Sequence, residues 1–187
     1  MTPAALAGYF RGLDPHTRSL ALVGGYLQSW ALMELELDDG IAKALGLTGL
    51  QRYVIRSNMP FHNKISVMKT LVHLSWLSDT QKTHYDDALN SMLGYSSDRN
   101  IIAHDAFSSS NKNDGVQFLV YRAKGKMQFP EFNWSVNKFV QQILNLDQCA
   151  KEMADLHEKI DKITTSSLAA ILAAAPSPIA PNLGFGG

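Results

Sequence analysis

The chain has 187 residues, 45% of them apolar, which suffices for one hydrophobic core and is too little for two comfortable domains. Its 17 lysines and arginines balance 17 aspartates and glutamates, so no global field draws it onto nucleic acid or an anionic membrane, and any contact with a polyanion has to be local. The single cysteine, Cys149, excludes an internal disulfide and a cysteine-based zinc site and reads as a free structural thiol in a reducing compartment.

Met1 to Gly8 lacks the basic residue that precedes the apolar core of a secretory leader, and the longest late apolar run, Leu168 to Ala175, falls well short of the roughly 20 residues of a membrane span. The expectation is a cytoplasmic protein with no membrane contact. Residues 3 to 12 predict a short helix, ended by Asp14-Pro15 because the residue before proline avoids helical geometry. From about Thr17 to Leu45, Leu20, Val23, Leu27, Trp30, Leu37, Ile41 and Leu45 recur at three-to-four spacing as one buried stripe, with Gly46 as the stop. Gly24-Gly25 weakens that helix. Glu34 falls on the stripe, and a carboxylate there needs a cationic partner or is costly to bury; the plainer alternative is a half-exposed surface glutamate.

Leu47 to Pro60 reads as a loop with a helical turn. Phe61, Ile65, Met68, Leu71 or Val72 and Trp76 mark the next helix, and Ser78-Asp79 caps another through Leu93, with Tyr85, Leu89 and Met92 on its buried side. At Gly94-Tyr95-Ser96-Ser97 the helix either kinks or restarts, Ser97 or Asp98 capping a new one. Ser108 to Gly115 is rich in turn formers. Val116 to Arg122 alternates as a strand, Lys124-Gly125-Lys126 turns the chain, and Met127 to Phe132 returns along an edge because Pro130 lacks an amide hydrogen. Trp134 to about Thr164 is a last helix with Val136, Val140, Ile143, Leu146, Ala150, Met153, Leu156 or His157, Ile160 and Ile163 on its stripe. The fold class is therefore mainly α, a bundle of four to five helices with an inserted β-hairpin, forming one domain over residues 1–166. Residues 167–187, rich in alanine, proline and glycine, read as a flexible tail.

The chemistry concentrates in Ser97-Asp98-Arg99-Asn100-Ile101-Ile102-Ala103-His104-Asp105. On a helix Asn100 and His104 share a face and Arg99 lies on the neighbouring flank, so these three can line one rim while Ile102, Ala103 and Ala106 are buried. A fresh helix start would also offer unpaired first-turn amides to a phosphate; if Asp98 merely caps, Arg99 is a surface cation. Histidine moves protons near neutral pH, and arginine supplies a permanent, forked cation for phosphate oxygens. The remaining histidines suggest no metal: His62 and His73 lie three turns apart on one helix, and His16, His84 and His157 read as surface or boundary residues. No glycine-rich phosphate loop and no nucleophile-elbow serine is present.

Arg99-Asn100 followed by His104 resembles the motif of the HEPN superfamily, small helical bundles that carry it on a late helix and include many metal-independent ribonucleases. The resemblance covers about residues 19 to 165. It implies that His104 acts as general acid or base, that Arg99 grips the scissile phosphate, and that Asn100 orients either one. It further implies a homodimer whose two-fold cleft holds two Arg-His pairs, with RNA rather than DNA as ligand, no cofactor and a possible protein partner. Glu34 resembles an acidic residue of an early helix facing the motif, so a partly buried Glu34-Arg99 ion pair is expected. One subset of the superfamily has a tyrosine two residues after the histidine, modified by a partner transferase; here that position is Ala106. Two other readings stay open: a HEPN-like module that binds RNA or nucleotide, or only dimerises, without turnover, and an unrelated helical interaction protein.

Overall fold

Capping residues set the frame of the molecule. The computed structural model describes the backbone of residues 2–123 and 127–174 and the side chains of residues 2–121 and 129–159. Helix α1 (Pro3–Arg11) starts at Thr2, whose Oγ1 accepts from the Ala5 amide, and α2 (Pro15–Ala44) starts at Asp14, whose Oδ1 accepts from the amides of His16 and Thr17. Gly46, at φ 63°, ends α2: the Leu47 amide reaches back to the Ala42 carbonyl and the Gly46 amide to that of Lys43. Gly24 and Gly25 do not interrupt the helix. A Cβ on Gly25 would meet Ile143 Cδ1 at 3.4 Å, about an ordinary contact, so packing does not require a glycine there.

The segment after Gly46 contains a full helix, α3 (Leu50–Asn58), where only a helical turn is expected; none of its residues is buried. Then come α4 (Phe61–Leu74) and α5 (Asp79–Gly94), the latter opened by a reciprocal Ser78–Gln81 capping box. α6 (Ser96–His104) carries the Arg99 motif. After the strands, α7 (Val136–Ala174) runs past Ser166, where the tail is expected to begin; residues 175–187 lie outside the described residues, as do the side chains of Ile160 and Ile163.

α2 and α7 form the central pair, with α1, α3, α4, α5 and α6 packed around them. The buried face of α2 is rotated and widened relative to the expected stripe. Leu20 and Leu45 are about half exposed, whereas Leu22, Tyr26 and Met33 are fully buried. The cause is packing against α7 and α4 together, which covers more of the circumference than a single stripe. On α7 the core is made by Val136, Phe139, Val140, Leu146, Cys149, Met153 and Leu156, with Ala150 only half-buried.

The inserted β structure exceeds one hairpin. β1 (Ala106–Ser109), β2 (Val116–Leu119) and β5 (Glu131–Trp134) form an antiparallel sheet in the order β1-β2-β5, while β3 (Arg122–Ala123) and β4 (Met127–Gln128) pair separately. The expected return strand is thus divided at Pro130, which has no hydrogen to give the ladder. β1 occupies residues expected as loop and helix end, so Ala106 is exposed rather than buried. The Lys124-Gly125-Lys126 turn lies outside the described residues. Phe118, opposite Phe132 on one side and Phe107 on the other, carries the apolar face of the sheet onto Phe139 of α7.

Candidate functional site

α6 follows α5 after the single residue Tyr95. Tyr95, between them, keeps right-handed helical dihedrals, and the Arg99 amide donates to the Tyr95 carbonyl at 3.0 Å. The segment is therefore a kink rather than a fresh start. No side chain caps α6, and the Arg99 amide is already engaged, so what Arg99 offers at this rim is its side chain. Ile101 and Ile102 are buried and fix the helix on the core, while Ala103, expected inside, is exposed. Half-buried Asp98 has its carboxyl pushed above the usual range by desolvation, with Lys138 pulling the other way.

The three motif side chains do meet. Arg99 Nη1 donates to Asn100 Oδ1 at 3.3 Å and lies 3.5 Å from His104 Nε2, with Asn100 and His104 both exposed. A guanidinium has only donors, so this contact needs a neutral imidazole with its lone pair on Nε2. Beneath, Arg99 Cζ sits 5.9 Å from the Trp30 ring centroid, and Arg99 Nε is buried with no hydrogen-bond partner. Among the described residues Arg99 has no ion-pair partner.

The expected Glu34–Arg99 pair does not form. Glu34 Oε1 accepts from Lys64 Nζ at 2.9 Å and Oε2 accepts from Trp30 Nε1 at 3.1 Å. Lys64, reaching from α4, is itself buried and also approaches Asp38 at 2.8 Å. A buried ammonium between two carboxylates leaves Glu34 no demand for a second cation. Glu34 instead supports Arg99 indirectly, by holding the indole on which the guanidinium rests. Trp30 and Lys64 are the site residues that sequence reasoning missed. Trp30 reads as an ordinary stripe residue, and nothing local marks Lys64 as buried.

Two open clefts flank the motif. One, of about 370 Å³, is lined by Trp30, Glu34, Phe61, His62, Arg99 and Asn100; the other, of about 530 Å³, is lined by Ser97, Asn100, His104, Asp105, Val120 and Tyr121. Asn100 stands on the ridge between them. A further cleft beside α3 pairs its own charges, Arg52 with Asp39, and lies away from the motif. Of the other histidines, His73 Nε2 is 2.7 Å from Asp86 Oδ2, and His157, expected at the surface or boundary or in place of Leu156 on the stripe of α7, is buried together with Leu156. Among the described residues no helix is long and apolar enough to cross a membrane. Compared with protein-family models, with curated proteins and with solved structures, the chain gives no match.

Proposed function

We propose that the protein is a HEPN-like, metal-independent endoribonuclease in which Arg99 and His104 act on the phosphodiester, Asn100 orients them, and a two-fold homodimer completes the cleft. The observation that carries this reading is the 3.5 Å approach of Arg99 Nη1 to His104 Nε2 on an exposed rim, where no described carboxylate claims the guanidinium. A phosphate seated there has a fixed cation and a proton acceptor within reach of the same oxygens. His104 Nε2 takes the proton of the ribose 2′-hydroxyl, and that oxygen attacks phosphorus. The P–O2′ bond forms and the P–O5′ bond breaks, the departing oxygen being protonated by the partner subunit's His104. The products are a 2′,3′-cyclic phosphate and a 5′-hydroxyl, with no net uptake of water or electrons. Arg99 faces the negative charge that grows on the phosphorane.

The test is incubation of the purified protein with a labelled structured RNA in excess EDTA. His104→Ala should lose about a hundred- to ten-thousand-fold in rate with its fold intact, because the residue is exposed and contributes proton transfer rather than packing. Arg99→Ala should be comparably inactive and Asn100→Ala only impaired. Because Arg99 rests on Trp30 instead of pairing with Glu34, its removal should cost only about 0.5–1 kcal/mol of stability. Cleavage that requires added magnesium, or that survives His104→Ala, would sink the mechanism and leave a non-catalytic RNA-binding module as the better reading.

A further inference from the structure

We infer that the cleft on the His104 side of α6 is a base-binding subsite, with Tyr121 as the stacking surface for one unpaired nucleotide of single-stranded RNA. The inference rests on the ribonuclease reading of Arg99 and His104 and names the substrate class for it. The sheet register produces the juxtaposition. Ala106 of β1 lies opposite Leu119 of β2, so Val120 and Tyr121 run on past the start of β1 and come alongside His104 and Asp105. Val120 is buried and anchors the backbone there, while Tyr121 is 62% exposed.

Tyr121 is held in place. Its ring meets that of Phe129, itself 65% exposed, edge to face, at 5.6 Å between centroids and an interplanar angle of 88°. This contact restrains the side chain and leaves ring surface open. Beside the apolar Ile101 and Val120, Ser97, Asn100, His104 and Asp105 offer donors and acceptors around the aromatic ring. One open aromatic among hydrogen-bonding groups, within a volume of about 530 Å³, suits a planar heterocycle with polar edges better than an apolar protein segment. In a duplex both faces of each base are already stacked, so only a loop, bulge or end can enter.

Fluorescence anisotropy tests this with a labelled 2′-O-methyl single-stranded oligoribonucleotide that cannot be cleaved, and a blunt duplex of the same sequence. Tyr121→Ala should weaken single-strand binding about five- to 150-fold, Tyr121→Phe should restore it, and duplex binding should be unchanged by either. Thermal melting of both variants should match the parent, since the side chain is largely exposed. If the single strand is bound in this Tyr121-dependent way but natural RNA is never cut, the subsite stands and the ribonuclease reading fails. If RNA is cut but Tyr121→Ala changes neither Kd nor KM, the subsite is overturned and the ribonuclease reading survives. Absence of single-strand binding by the parent protein would also overturn it.

Discussion

Lys64 decides what Glu34 does. Its ammonium is buried between Glu34 and Asp38, and removing it would strand Asp38, whose carboxyl burial already raises while the bond from Lys64 holds it down. Lys64→Met should therefore destabilise the fold by about 3–5 kcal/mol in urea unfolding, and Lys64→Met combined with Asp38→Asn should recover part of the loss. Equal stability of Lys64→Met and the parent would mean that the cluster is solvated. The indole of Trp30 is held from the same cluster through Glu34 and in turn carries the Arg99 guanidinium. A charge network on α2 and α4 thus reaches the motif on α6 without touching it directly.

Between elements, the α2–α7 crossing depends on one glycine. A Cβ on Gly40 would stand 2.1 Å from His157 Nε2, and that buried nitrogen has no hydrogen-bond partner. Gly40→Ala should cost about 1–3 kcal/mol by overpacking, despite alanine's better helix propensity. The same substitution in a His157→Ser background should be nearly neutral, and chemical denaturation of the four proteins gives the coupling. His157 also makes the crossing acid-sensitive. Burial holds its pKa down at about 4, with the Lys43 charge acting in the same direction. The unfolded chain therefore binds the extra proton between about pH 6.5 and 4, and stability falls as pH falls through that window. Going from pH 7 to 5 should cost about 1–2 kcal/mol, and His157→Gln should flatten this part of the profile. An unchanged slope in that variant would assign the acid sensitivity elsewhere.

For the whole molecule, zero formal charge and one Arg99–His104 pair per protomer offer little hold on a polyanion, which is the physical argument for a dimeric cleft. Light scattering should give a dimer at tens of micromolar. In the cleavage assay, parent protein equilibrated with excess His104→Ala protein should lose more activity than dilution accounts for, because a mixed dimer keeps only one of the two histidines that the step uses. A monomer, or activity that falls only in proportion to the dilution, would remove the composite site.

The helices around the motif were legible from local signals. Asp14-Pro15, Gly46 and the Ser78–Gln81 box act within a few residues of themselves, and Arg99, Asn100 and His104 lie close enough on one helix for spacing alone to bring them together. The width of α2's buried face, the burial of His157 together with Leu156 rather than in its place, and the third strand Ala106–Ser109 depend on which elements cover which, and periodicity along one segment does not carry that. The partner of Glu34 was decided in the same way. That a carboxylate on a buried stripe would need a cation was legible from the spacing of α2 alone. Only the docking of α4 on α2 made that cation Lys64 and turned Arg99 toward Trp30, because a charge pairs with whatever tertiary packing brings within a few ångströms of it.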